Sequence, residues 1–179
     1  MHPYEQFPFQ YSCHIIDRGG RVIHKEYLHE SKSDPRKLLA EALVNSIGKK
    51  GTVIAYNAPF EKGVISRLAG GVPKHAQILE SIANRLWDQL IIFRNHYTDY
   101  RFGGSNSLKN VLPVMVPSMS YENLGVSDGG EAQVTWNEMI QLPEGDDKNQ
   151  LVKDLKKYCG QDTWAMVEIH NKLVKSKER

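Results

Sequence analysis

Apolar residues return every third or fourth position through the last third of the chain. Leu151, Leu155, Tyr158, Asp162, Met166 (or Ala165), Ile169 and Leu173 share one face of the long helix that this rhythm predicts. One carboxylate, Asp162, interrupts that face, with Tyr158 one turn before it. A carboxylate in a buried stripe is costly unless something donating or positive meets it. A divalent cation would serve. So would backbone N–H groups or an arginine.

Shorter patterns fill the rest. Residues 9–16 and 22–28 are strand-like and flank Asp17-Arg18-Gly19-Gly20, whose glycines suit a tight turn, so a β-hairpin is predicted. A helix follows, with Asp34 as cap, Pro35 in its first turn, Leu38, Leu39, Ala42, Leu43 and Ile47 on its apolar face, and Gly48 at its end. Residues 52–56 are a short β-branched run of buried-strand type. From Phe60 the pattern turns helical, Glu61 sharing a face with Ile65 and Leu68. Another helix is predicted over 74–86 and a further strand over 87–93. Residues 94–106 are irregular, and short helices near 107–112 and 131–140 lead to the terminal helix, with Gly160 a candidate bend. A hairpin followed by alternating strands and helices predicts an α/β fold, a sheet of mixed strand directions flanked by helices.

Bulk properties narrow the classes. The 179 residues suit a single domain, and a net charge of +2 neither requires nor excludes nucleic acid. The basic end (Lys172, Lys175, Lys177, Arg179) reads as a solvated helix terminus. No apolar run nears the roughly 20 residues of a membrane span, so no membrane partner is expected. The two cysteines, Cys13 and Cys159, lie far apart and outside any C-x-x-C pair, which disfavours a disulfide framework or a cysteine zinc site and suits a reducing cytoplasm.

Chemistry gathers at two places. The 52–56 strand delivers Asn57, and Glu61 lies in the first turn of the next helix; open α/β sheets bind ligands at strand carboxyl ends. The plainer reading makes Asn57 a turn or cap residue and Glu61 an acid favoured near a helix N-terminus. The 94–102 loop brings Arg94, His96, Tyr97, Tyr100, Arg101 and Phe102 together, a set that suits base stacking and phosphate pairing, or an ordinary packed loop. No G-x-S-x-G elbow occurs, and Cys159 sits within a helix without an identifiable base, which disfavours serine and cysteine hydrolases.

Asn57-Ala58-Pro59-Phe60-Glu61 after a strand, with Tyr158-Cys159-Gly160-Gln161-Asp162 on a late helix, resembles the second and third motifs of the DEDD-type 3′–5′ exonucleases, tyrosine subclass. Trp87-Asp88-Gln89-Leu90 and Ser107-Leu108-Lys109-Asn110-Val111-Leu112 resemble that superfamily's strand-end Asp and the helix that follows. A narrower resemblance runs along nearly the whole chain. Pro3-Tyr4-Glu5-Gln6-Phe7-Pro8-Phe9-Gln10-Tyr11-Ser12, Tyr56-Asn57-Ala58-Pro59-Phe60-Glu61-Lys62-Gly63, Phe93-Arg94-Asn95-His96-Tyr97 and Asp128-Gly129-Gly130-Glu131-Ala132 are similar to an uncharacterised bacterial family, DUF2779, whose longer members can carry a RecB/Cas4-like nuclease region upstream.

The exonuclease resemblance implies a ribonuclease H-like fold and a site of four carboxylates holding two Mg2+ or Mn2+ ions. Carried over, Asp162 and Glu61 would be metal ligands, Tyr158 would orient or help deprotonate the attacking water, and Asn57 would support the site. Phe60, Arg94, His96, Tyr97 and Arg101 would touch a single strand of DNA or RNA. Asp88 would lie near the site without joining it. The first motif, a central strand bearing Asp-x-Glu, has no counterpart here; Asp17, the one early strand-end acid, stands in a turn sequence. The chain is therefore expected to be a piece of a longer protein, inactive or weak as a nuclease, or else a non-catalytic nucleic-acid-binding or scaffold domain of a larger nuclease. Without the central strand, the 9–16 and 52–56 strands should close on each other or recruit a strand, for instance from a second copy in a homodimer.

Overall fold

The computed structural model describes residues 7–122 and 124–176. Among them the chain forms β1 (Gln10–Ile16), β2 (Val22–Leu28), α1 (Arg36–Ser46), β3 (Val53–Ala55), α2 (Ala58–Gly71), α3 (Ala76–Ala83), β4 (Leu86–Asp88), α4 (Leu90–Asn95), α5 (Leu108–Met115), α6 (Gly129–Met139) and α7 (Asp146–Ser176). The fold is mixed α/β. Pro3 to Gln6 of the N-terminal string, and Lys177 and Arg179, lie outside the described residues. No helix among those described is long and apolar enough to cross a membrane.

β1 and β2 form the expected hairpin, antiparallel from Gln10↔Leu28 to Ile16↔Val22. Asp17 closes its turn. One carboxylate oxygen accepts from the Gly19 and Arg21 N–H groups at 2.9 and 3.0 Å, and the other meets the Arg21 side chain at 3.1 Å. Gly20 takes the positive φ of 80° that the turn needs. Asp17 is thus a turn residue at the far tip of the hairpin.

The ladder has a definite sense. The His29 N–H donates to the Phe9 carbonyl, and the Asp17 N–H to the Arg21 carbonyl. Antiparallel pairs alternate between bonded and non-bonded, so odd-numbered β1 residues bond to β2. Gln10, Ser12, His14 and Ile16 aim their backbone groups at the opposite margin. β3 and β4 pair in parallel through Val53↔Leu86, Ile54↔Trp87 and Ala55↔Asp88. Bonds at Val53 N–H and the Ala55 carbonyl leave the Ile54 backbone groups on the outer side of β3.

These pairs are two separate two-stranded sheets. The expected closure of β1 onto β3 does not occur. α7 meets the Gln10–Ser12 part of that β1 margin instead: the Ser12 N–H finds the Cys159 sulfur, the Gln10 side-chain amide donates to the Leu155 carbonyl at 2.8 Å, and the Ser12 hydroxyl meets Thr163 at 2.8 Å. The same helix reaches the other sheet through the buried Gln89, whose amide donates to the Met166 carbonyl at 3.0 Å.

Three apolar cores surround this arrangement. Leu39, Leu43, Leu68, Leu79 and Ile82 join α1, α2 and α3, with Tyr11, Tyr27, Val53 and Leu86 of the strands packed on them. Phe93, Phe102, Leu112, Ala165 and Ile169 join α4, α5 and the second half of α7. Leu28, Met139 and Leu155 join β2, α6 and the first half of α7, with Phe9 stacked on Trp136 at 4.7 Å.

Most predicted elements appear near their expected places. The strand expected over 87–93 is a correction: it stops at Asp88, and α4 takes over at Leu90. The Asp88 carboxylate accepts from the Leu90 N–H at 3.0 Å, which turns the chain into a helix with Leu90 and Phe93 buried and Ile91 exposed. The helix expected over 74–86 is shorter, its start replaced by a 3-10 turn over Pro73–His75. α7 runs without interruption through Gly160 for 31 residues.

Candidate functional site

The β3–α2 junction is built around a buried acid. Asn57 caps α2 in the left-handed conformation (φ 73°, ψ 54°), the sole positive-φ residue other than glycine among those described. Asparagine tolerates that region better than most residues. Its N–H donates to Asp88 at 2.9 Å, on the same oxygen that Leu90 uses. Asp88 is 7% exposed and ties the two strand ends together. Ala58 and Pro59 begin α2, which places Glu61 in its first turn.

Glu61 and Asp162 converge. Glu61 is part-buried, and burial, reinforced by the charge of Asp162, pushes its carboxyl above the usual range. Burial also raises Asp162, opposed by hydrogen bonds from Tyr121 and Tyr158 and by the positive charge of Lys109. The Tyr121 hydroxyl donates to Asp162 Oδ1 at 2.5 Å. Both phenols are driven above their ordinary pKa, chiefly by burial and then by Asp162, so at neutral pH they are donors. Cys159, one turn before Thr163, is pushed up by burial and by the charges of Asp162 and Glu61. Two half-buried carboxylates near one another repel unless a proton or a cation intervenes.

The pair offers hard oxygen donors of the kind Mg2+ and Mn2+ choose. Among the described residues, no group of three or more His, Cys, Asp or Glu side chains is arranged to hold a metal. Two carboxylates are fewer ligands than the four that the exonuclease resemblance implies. A cleft of about 280 Å3, lined by Lys109, Ser120, Tyr121 and Glu122 among others, opens beside the phenol that meets Asp162.

Phe60, next to Glu61, is 58% exposed. Arg94 and His96 are exposed on and after α4. Arg101 forms a fork with Asp99 at 2.6 and 2.9 Å, which holds the Asp99 carboxyl down at about 2. Tyr97 packs edge-on to Phe93 at 5.9 Å and beside Phe102 at 6.1 Å, and Phe102 is a core residue. Tyr100, 92% exposed, is the one aromatic of this loop left fully in water. The loop thus divides between packing and open surface.

Tyr121 and Lys109 are the site residues that the sequence reading did not single out for a role. Lys109 belongs to the Ser107–Leu112 helix pattern, but Tyr121 lies in an aperiodic stretch with no pattern to mark it. Gln161 fixes that stretch, its amide donating to the Ser120 carbonyl at 2.7 Å.

A family described as Domain of unknown function (DUF2779) matches residues 1–107. That range contains the hairpin, both β3 and β4, Asn57 and Glu61; Tyr121, Tyr158 and Asp162 lie beyond it. Uncharacterized protein MG366 of Mycoplasma genitalium is 26% identical over 152 residues, covering 78% of this chain and 23% of that protein. The chain thus spans less than a quarter of the length of this relative. No solved structure matches the chain. With more than half of its residues inside the match, the chain belongs to the DUF2779 family.

Proposed function

We propose that this chain is an exonuclease-like domain, built on a ribonuclease H-like plan, that acts on ends of single-stranded DNA or RNA with the help of Mg2+ or Mn2+. The observation that carries the reading is the convergence of Glu61 from α2 and Asp162 from α7, with Tyr158 donating into the same carboxylate. When bound, a divalent cation would neutralise phosphate charge and activate water. Glu61 and Asp162 would hold it. Tyr158, whose hydroxyl burial and Asp162 keep protonated, would orient the attacking water. Phe60 offers a face for stacking, and Arg94 and His96 offer charge or hydrogen bonds to phosphate. Arg101 and Tyr97 would contribute only at the cost of their present partners.

The sheet arrangement supports the plan. An antiparallel pair and a parallel pair, with the outer side of β3 open and that of β1 open beyond Ser12, would suit a central strand seated between β1 and β3. We place the Asp-x-Glu acids of the resemblance on such a strand, supplied by a longer protein that includes an upstream nuclease region, or its edge-filling role on a second copy. This chain alone would then be weak or inactive. A second reading, a non-catalytic nucleic-acid-binding or scaffold domain of a larger nuclease, is favoured by the lack of a third acid among the described residues. Both readings suit a cytoplasmic protein.

Calorimetry of this chain with Mn2+ tests the metal. Binding accompanied by proton release is expected, because a cation lowers the raised carboxyls. Glu61→Gln and Asp162→Asn should each weaken it at least tenfold. Absence of binding would overturn the metal reading. Degradation of a 3′-labelled single strand by the full-length protein, lost in Asp162→Ala, would separate the enzyme from the scaffold.

A further inference from the structure

A cleft of about 400 Å3 lies where the other side of α7 meets the hairpin. His14 and His24 line it from β1 and β2, Gly160 and Trp164 from α7, and Lys156 and Lys157 also contribute. The two imidazoles stack 4.4 Å apart at an interplanar angle of 11°, and Trp164 tilts against His14 at 5.2 Å. Aromatic faces of this kind otherwise belong in a core. Here they border open space.

The rings are held in place by a hydroxyl relay. The Ser12 hydroxyl lies 2.8 Å from His24 Nε2 and 2.8 Å from the Thr163 hydroxyl, which lies 2.9 Å from His14 Nδ1. The Thr163 hydroxyl also lies within reach of the Gly160 and Cys159 carbonyls, at 3.1 and 3.4 Å. The network ties both rings to the Ser12 and Thr163 hydroxyls and fixes their planes.

Gly160 shapes the wall of the cleft on the α7 side. Glycine inside a helix weakens it. Its φ is not positive, and a Cβ added there would come no closer than 3.7 Å to the His24 ring, an ordinary contact. Neither the backbone nor the packing of the hairpin requires glycine at this position. What the missing side chain does is keep one wall of the cleft open.

We propose that this cleft is a subsite for one unstacked base of a single-stranded nucleic acid, with the adjoining phosphate towards Lys156 and Lys157. The proposal rests on the nucleic-acid reading above and gives it a second point of contact, separate from the acid pair. Imidazole and indole faces stack on any base, thymine included, because every base has a π-face. Lys156 is held at 3.4 Å from Glu30 in an exposed pair that a phosphate can displace. Glu26, also in the lining and 3.9 Å from His24, repels phosphate at its own end and so sets the strand's direction.

The test is fluorescence anisotropy of a labelled oligothymidylate in EDTA, where no metal acts, using this chain and Gly160→Leu. Leucine fills the cleft and strengthens the helix, so thermal stability should hold or rise. The expected result is an affinity weakened about tenfold, the order that one stacked base contributes. An abasic strand of equal length should bind the unaltered protein as weakly as the thymidylate binds Gly160→Leu. In parallel, the ring proton signals of His14 and His24 in the unaltered chain should move on titration with the thymidylate. Binding that leaves these signals in place, or that Gly160→Leu leaves intact, would overturn the cleft while sparing the nucleic-acid reading. Equal affinity for the abasic strand would overturn the base assignment. No binding of any strand would overturn both.

Discussion

Asn57 carries two roles that substitution can separate. Its left-handed backbone is a conformational demand, whereas its exposed side chain is free for ligand. Asn57→Gly should leave stability within about 0.5 kcal/mol of the unaltered chain, while Asn57→Ala should lose about 1 kcal/mol, measured by urea unfolding. If Asn57→Gly also weakens oligonucleotide binding, the side chain has a role beyond the turn. The acid pair makes a pH prediction. Both folded carboxyls sit above their ordinary values of 4.5 for Glu61 and 3.8 for Asp162, so the folded state binds protons more tightly than the unfolded one. The associated stability is present below the ordinary values and is lost as pH rises through the raised ones. Glu61→Gln should therefore raise the melting temperature at pH 8 and barely change it at pH 4. Added Mn2+ should narrow the gap at pH 8 by stabilising only the unaltered protein.

At the scale of elements, amide exchange should report the two open margins. The His14 and Ile54 amides, aimed away from their partner strands, should exchange faster than the neighbouring Cys13 and Ala55 amides inside the ladders. Protection of His14 and Ile54 that rises with protein concentration would reveal pairing with a second copy. The elements themselves were largely legible because each announces itself locally: glycines at the hairpin turn, Pro35 before α1, and a helical stripe through α7. Residues 87–93 were not. A short apolar run such as Leu90-Ile91-Ile92-Phe93 fits strand and helix alike, and the choice was made by one carboxylate, Asp88, reaching the Leu90 N–H.

Across the whole molecule, the meeting of Glu61 and Asp162, a hundred residues apart, follows from the resemblance to the exonuclease motifs and not from the stripe or the strand end taken singly. The way the carboxylate is accommodated was not legible. Tyr121 arrives from an aperiodic segment whose position depends on long-range contacts, and such contacts leave no rhythm in the sequence. The separation into two sheets was likewise hidden, because strand signals fix a partner's type but not whether a neighbour will be present. α7 is what makes the separation tolerable. Its early turns close the core around Met139, its late turns close the aromatic core around Phe93, and its middle, from Cys159 to Thr163, fastens the hairpin. It therefore works as a keel. A shortened version of the protein that ends partway along it would lose two cores and the hairpin's anchorage in a single cut, so boundaries for expression or crystallisation belong beyond its last turn and never within it.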